Sequence, residues 1–353
     1  MTPTPHLIAL ATTVPPHRFD QPAVAEAAQE IFADRVQEFR RLRGVFATAG
    51  VGTRYSSVPL DWYKAPHGWR DRNGAYLDSA TDCLERAART CLERAGLGVE
   101  DVDGLVVVSS TGIATPGLDA VLIDRMGFRP DTMRLPVFGL GCAGGVVGLG
   151  RAADVARSNP GRNILFLVVE LCALWFRDTP DKANIVATAL FGEGAAGLLL
   201  RAEEDGAPGP ARHPALRAWG EHTWPRSQDI MGWSIEEDGL GVIFSPTIPV
   251  LVRERLRPAT DAFLERHGYA LPQFDGLIAH PGGAKVLDAI EATMAPCTDG
   301  LDDSAAVLRD YGNMSAATVL FVLERRLQRG ARGRHLMTAL GPGFTAGFLV
   351  IDL

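Results

Sequence analysis

The chain has few cysteines, no excess of basic residues and no apolar run long enough to cross a bilayer. Its five cysteines, in 353 residues, stand at 83, 91, 142, 172 and 297. The number is odd and no pair has CxxC spacing, so neither a disulfide framework nor a zinc site is expected, and a reducing compartment fits. Lys and Arg total 35 against 42 Asp and Glu, a formal charge of −7. That balance argues against a nucleic-acid surface, whose footprint is a basic stripe. The one basic run, residues 325–334, reads as a solvated helix end. The most apolar stretch, residues 164–176, is interrupted by Glu170 and is too short for a membrane span. The first residues lack the basic start and apolar core of a secretory signal. A soluble, cytoplasmic protein is expected.

What is present is globular composition, with 46% hydrophobic residues, enough for one large domain or two half-sized ones. Residues 21–47 read as helical and the Trp- and Pro-containing stretch to His67 as irregular. Residues 78–95 have helical spacing, with Gly96 as a stop. Residues 104–109, 134–138, 163–169 and 195–200 read as buried strands. Residues 139–145 are glycine-rich and lead into a helix ending near Ser158. Residues 203–214 (EEDGAPGPARHP) look like a polar linker, dividing the chain into 1–205 and 215–353.

An internal repeat supports that division. The segment LERAG at 92–96, followed by Asp103-Gly104-Leu105, reappears as LERHG at 264–268 with Asp275-Gly276-Leu277. The halves also end alike, Ala195-Ala196-Gly197-Leu198-Leu199 against Thr345-Ala346-Gly347-Phe348-Leu349. Strand and helix alternate in each half, which predicts α/β sheets covered by helices. Cys142 lies 39 residues after Asp103 and Asn313 lies 38 after Asp275. Each follows a glycine and is expected to begin a helix, so the two helix starts should meet near the pseudo-twofold axis. His280 follows the second copy's strand at once.

Cys142 sits in GLGCAGG, where small neighbours allow a sharp turn from strand to helix. A helix N-terminus favours thiolate, and a nearby histidine would favour it further. Gly139, Gly141 and Gly144 also spell GxGxxG between a strand and a helix, with Glu170 after the next strand. That pattern keeps an NAD-dependent oxidoreductase as a rival reading, although it gives His280 and Asn313 nothing to do. His280 is flanked by Pro281, Gly282 and Gly283. Asn313, in YGNMS, could equally be a helix cap. Thiolate, imidazole and amide together suit one reaction. A malonyl thioester loses carbon dioxide, histidine and asparagine donate hydrogen bonds to the enolate oxygen, and the enolate attacks an acyl group carried on cysteine.

Gly141-Cys142, Ala189-Leu190-Phe191-Gly192, Ala279-His280-Pro281-Gly282-Gly283, Tyr311-Gly312-Asn313-Met314-Ser315 and Gly341-Pro342-Gly343 together resemble the type III polyketide synthases, the chalcone and stilbene synthase family. The match runs from about Ala75 to the C-terminus. The resemblance implies a thiolase-like fold, two duplicated α/β halves in an α-β-α-β-α arrangement, and a homodimer. It also implies iterative condensation of malonyl-CoA onto an acyl-CoA starter with no cofactor beyond the coenzyme A thioesters and no carrier protein. By position, Cys142 would hold the chain and His280 with Asn313 drive decarboxylation, with Ser315 beside them. Phe191 matches an aromatic gate, whose second phenylalanine falls near Val242 here. Gly341, Pro342 and Gly343 match the loop that shapes cyclisation. Backbone N–H groups near Cys142 and Thr345 are candidates for an oxyanion hole. Thr111, Thr115, Cys172 and Trp175 occupy cavity positions, Thr115 standing where chalcone-forming members have methionine. These positions are similar to bacterial alkylresorcinol and alkylpyrone synthases, which implies a fatty acyl starter and a resorcinol or pyrone product. A single-condensation 3-ketoacyl synthase shares the Cys/His/Asn set and is the nearer alternative.

Overall fold

A computed structural model describes residues 2–32, 39, 41–179, 182–203, 213–295, 297 and 299–353. Most of the expected linker, 204–212, lies outside the described residues. In the first half, β1 is Thr4–Thr13, β2 His17–Asp20, α1 Gln21–Ile31, α2 Gly44–Thr48, β3 Thr53–Ser56, α3 Trp69–Ala95, β4 Gly104–Val108, α4 Leu118–Met126 and β5 Met133–Val137. Then follow α5 Gly144–Ser158, β6 Ile164–Leu171, α6 Lys182–Leu190 and β7 Glu193–Glu203. The second half holds β8 Ala215–Thr223, a hairpin of β9 Met231–Ile235 and β10 Leu240–Phe244, α7 Ile248–Arg266 and β11 Gly276–Ala279. It closes with α8 Ala284–Met294, α9 Leu301–Tyr311, α10 Thr318–Gln328, β12 Arg334–Gly341 and β13 Thr345–Asp352.

The repeat is visible in the strand pairing. In the first half β5, β4, β6, β7 and β1 lie side by side; in the second, β11, β12, β13 and β8 do. The parallel pair β4–β6 matches β11–β12, and the antiparallel steps β6–β7–β1 match β12–β13–β8. The two sheets touch along their edges at His6 and Ala215. Strands such as β6 are buried on both faces, which is why they read as continuous apolar runs.

Alternate residues on those strands feed different layers. Val106, Val108, Phe166 and Val168 join Met337, Ala339, Leu349 and Ile351 around α5 and α10, the middle layer. Leu105, Leu165, Leu167 and Val169 face α3 and α4. Leu277, Leu336, Phe348 and Val350 face α7 and α8. Five layers result, helix–sheet–helix–sheet–helix, as the resemblance implied.

Two sequence expectations need correction. Helix α3 starts at Trp69, nine residues before the predicted start, because its buried face carries Arg72, which breaks the apolar pattern. Residues 325–334 are not simply solvated. Arg325, Arg326 and Arg329 all pair with the buried carboxylate of Asp303 in the first turn of α9. Burial alone would raise that carboxyl, but Arg329 together with Arg326 and Arg325 holds it below its ordinary range. The cluster pins α9 against α10, and the turn between those helices carries Asn313.

Candidate active site

Cys142 sits in a single 3-10 turn, Gly141–Ala143, that runs into α5. The turn needs glycine at 141. Its φ is +46°, and a Cβ there would lie 2.5 Å from Cδ of Pro342. Ser110 Oγ accepts hydrogen bonds from the N–H groups of Gly139 (3.2 Å) and Gly141 (3.1 Å) and so braces the loop. Two residues into α5, a Cβ on Gly145 would lie 2.2 Å from the carbonyl oxygen of Ala316. The two repeat-related turns can therefore approach backbone to backbone, which brings Cys142 to Asn313 and Ser315.

Asn313 does not itself begin a helix. It lies between the end of α9 and a 3-10 turn, Ser315–Ala317, that precedes α10. Its N–H donates to the Leu190 carbonyl at 2.9 Å and its carbonyl accepts from Gly192 N–H at 2.9 Å, fixing it beside Phe191. Its side-chain Oδ1 accepts from Ser315 N–H at 2.8 Å, so it caps the turn from one residue before Met314, the turn's own N-terminal flanking residue, whose side chain makes no such bond. Nδ2 donates to the Gly282 carbonyl at a long 3.3 Å, and Asn313 lines the same cavity as Cys142. The capping bond thus orients the amide without consuming its NH2 group. Ser315 is held at φ +48°, an uncommon conformation for a residue with a side chain.

His280 continues the β11 ladder, donating its N–H to Thr338 at 2.9 Å. Neither ring nitrogen has a partner, although the residue is buried. An unpaired buried imidazole is costly, and this one lines the cavity. Burial pushes its pKa down to about 3, so the ring is neutral at any working pH. Burial also pushes the Cys142 thiol up to about 12, against a hydrogen bond from Ser315 that lowers it and with the Glu170 carboxylate behind it adding to the rise. The sequence predicts a thiolate favoured by the helix start; desolvation at the cavity wall outweighs that and favours a neutral thiol beside a neutral imidazole.

These groups share one cavity of about 750 Å³, counting its open mouth, with Phe191, Cys172, Val242 and Pro342 also on its wall. Its other walls are largely apolar, including Met231, Ile248, Leu256, Val286 and Ile290. Val242 lies directly across the β9–β10 hairpin from Trp233. The Trp233 and Phe191 rings are 6.0 Å apart. An aromatic ring thus stands against Phe191 from the strand beside Val242.

The remaining candidate positions scatter. Thr111 is buried behind the site, its Oγ1 donating to Glu170 Oε2 at 2.7 Å and its carbonyl accepting from Trp175 Nε1 at 2.6 Å. Thr115 is exposed and lines neither cavity. Trp175 lines a second cavity, and Cys172 lines both. Gly341 and Gly343 lie outside the lining, Gly341 packed against the Cys142 turn. Thr345 opens β13 with its hydroxyl on Thr223, 2.8 Å away, and does not line the cavity. Sequence reading missed Ser110, Trp233 and the true setting of Glu170. That carboxyl is wholly buried, accepting from Ser110 N–H and Thr111, and burial pushes it up to about 7. It cannot reach a ribose, which removes the dinucleotide reading of GxGxxG.

The family model for chalcone and stilbene synthases, N-terminal domain, matches residues 4–204, and that for the C-terminal domain matches 217–352. A 1,3,6,8-tetrahydroxynaphthalene synthase of Streptomyces peucetius subsp. caesius is 38% identical over 97% of the chain and 92% of that protein. A putative chalcone synthase of Bacillus subtilis (strain 168) is 34% identical over 98% of both. The crystal structure of 1,3,6,8-tetrahydroxynaphthalene synthase from Streptomyces coelicolor A3(2) superposes with a TM-score of 0.90 at 28% identity, covering 98% of this chain and 99% of that one.

Proposed function

Because the chain belongs to the chalcone and stilbene synthase family, and is thus a type III polyketide synthase acting on coenzyme A thioesters, we propose that it extends a fatty acyl starter with malonyl-CoA and closes the product to a resorcinol or pyrone. The observation that carries this reading is the meeting of Cys142, an unpartnered neutral His280 and Asn313 in one largely apolar cavity. His280 takes the thiol proton as Cys142 attacks the acyl-CoA carbonyl and hands it to the departing coenzyme A sulfur, which leaves as the free thiol and returns the ring to its neutral form. Malonyl-CoA then loses carbon dioxide, and the bond's electron pair passes into an enolate. A ring N–H of His280 and the NH2 of Asn313 stabilise its oxygen. With its pKa near 3, His280 is not an imidazolium that would protonate and waste the enolate. The enolate carbon attacks the acyl–Cys142 carbonyl and releases the thiolate, leaving a chain two carbons longer on coenzyme A.

In this reading residues 1–205 supply the nucleophile and 215–353 the decarboxylating pair, in a cytoplasmic homodimer that needs no carrier protein. The test is product analysis with malonyl-CoA and a series of acyl-CoA starters. Products whose mass equals a fatty acyl group plus several two-carbon units support the reading. Tetrahydroxynaphthalene as the sole product would place the chain with its 38%-identical relative and remove the fatty acyl starter. Products stopping after one extension would favour a 3-ketoacyl synthase.

A further inference from the structure

The carbonyls that end α6 are all hydrogen-bonded, and most of their donors come from distant stretches of chain. The last four C=O groups of a helix have no partner inside it. Phe191 N–H donates to the Ala187 carbonyl at 2.8 Å, and Asn313 N–H donates to that of Leu190 at 2.9 Å. The guanidinium of Arg54, on β3, donates to Thr188 (2.6 Å), Ala189 (2.8 Å) and, one residue past the helix, Phe191 (2.8 Å). Gln21, which opens α1, donates to Ala189 at 2.8 Å and accepts from Arg54.

Arg54 is buried, and these hydrogen-bond partners are carbonyls and an amide, all neutral. Burial pushes its pKa down to about 10, so it is still a cation at neutral pH. Burying a charge without a carboxylate is costly, and the negative end of the α6 dipole offsets that only in part. A glycine closes most helix ends with no buried charge. What the guanidinium adds is a rigid planar fork that sets several carbonyl directions at once. Those carbonyls flank the one that receives Asn313. Beyond it, Gly192 N–H donates to the Asn313 carbonyl at 2.9 Å, completing a bridge between Phe191 and Asn313. The two segments touch backbone to backbone: a Cβ on Gly192 would lie 2.1 Å from the Tyr311 carbonyl oxygen. The main chain of Asn313 is thus placed by residues 190–192, whose carbonyl neighbours Arg54 holds.

We propose that Arg54 is a positioning residue for decarboxylation: by fixing the carbonyls of Thr188, Ala189 and Phe191 it sets the backbone that carries Asn313, and so the direction of the Asn313 NH2 group. Arg54 does not line the cavity that holds Cys142, His280 and Asn313, so its effect reaches the chemistry through the main chain. An oxyanion donor works only when it is aimed before the charge develops. The proposal rests on the reading of Asn313 as such a donor.

The test is a double-substitution cycle on the full-length enzyme, reading kcat and KM for malonyl-CoA decarboxylation beside a thermal melt of each variant. Arg54→Lys keeps the charge and loses the fork. It is expected to lower kcat about tenfold with little change in KM, less than the roughly hundredfold that a misplacement of about 1 Å can cost. In the Asn313→Ala background the same substitution should cost less than about twofold, because the amide it positions is gone. Equal losses in the two backgrounds would show that Arg54 acts elsewhere and overturn the proposal. A lowered Tm with parental kcat, the mark of a purely structural arginine, would overturn it too. Should Arg54→Lys fail to fold, Gln21→Leu frees one arm of the guanidinium and goes through the same cycle. A kcat loss confined to the background that has Asn313 then supports the proposal, and an equal loss or none overturns it. Parental decarboxylation by Asn313→Ala alone would instead remove the donor reading, and the positioning role with it.

Discussion

Replacing Asn313 with alanine separates the turn contact that the structure shows from the oxyanion-donor role proposed for the same side chain. The side chain caps the following turn through Oδ1 and Ser315 N–H at 2.8 Å, while its NH2 group has only a 3.3 Å contact to Gly282. Loss of the cap costs about 1 kcal/mol of stability, at most a couple of degrees in Tm for a chain of this size. A protein with an ordinary margin of ~5–15 kcal/mol stays essentially all folded after such a loss. Loss of an oxyanion donor acts on the barrier, at roughly 2.7–4 kcal/mol or a hundred- to thousandfold in rate. Asn313→Ala is therefore expected to lower kcat for malonyl-CoA decarboxylation at least a hundredfold with little change in Tm. The assay is carbon dioxide release at saturating malonyl-CoA, run beside a thermal melt. A decarboxylation rate within threefold of the parent, with Tm lowered, would return Asn313 to capping alone.

Three further outcomes follow from the site and its surroundings. Cys142→Ala should abolish polyketide formation and keep measurable malonyl-CoA decarboxylation, because His280 and Asn313 remain; polyketide at parental yield would remove Cys142 from the chemistry. Alkylation of Cys142 by iodoacetamide should rise about tenfold per pH unit from 7 to 10, since its thiol is pushed up to about 12; a plateau below pH 9 would show an ordinary thiol. Glu193 is wholly buried with Oε1 unpartnered, and burial pushes it up to about 7 from an ordinary 4.5, against the hydrogen bonds from Ser57. The folded state then binds more protons than the unfolded one between those values, so stability falls as pH rises through that window. Glu193→Gln should gain unfolding free energy over the parent increasingly from pH 5 to 8, by up to ~3 kcal/mol, read from denaturant melts; a pH-independent difference would contradict this.

The duplicated architecture was legible because doubly buried strands leave unbroken apolar runs, and because LERAG and LERHG mark equivalent helix ends before β4 and β11. Cys142, His280 and Asn313 were legible because each stands in a glycine setting that its local backbone requires. Other features arise only from contacts distant in sequence. Arg72 is buried with its guanidinium on the carbonyls of His67 and Leu174, so no apolar period could announce the true start of α3. Trp233 comes against Phe191 only through the β9–β10 pairing that sets it across from Val242, in a hairpin whose residues alternate weakly. Thr115, aligned by resemblance with a cavity methionine, is turned out to the surface. The Cys142 pKa also escaped local reasoning: the helix start is visible in the sequence, while the desolvation that outweighs it depends on the assembled cavity.

The central claim is that Cys142 carries the starter while His280 and Asn313 generate the nucleophile beside it. Intact-protein and peptide mass spectrometry after incubation with lauroyl-CoA alone tests this most directly. The account predicts one added acyl group, located on the peptide containing Cys142, that disappears when malonyl-CoA is supplied and extended product appears. An acyl group on any of the other four cysteines, or product formed while Cys142 stays unmodified and its acyl form is never consumed, would contradict it.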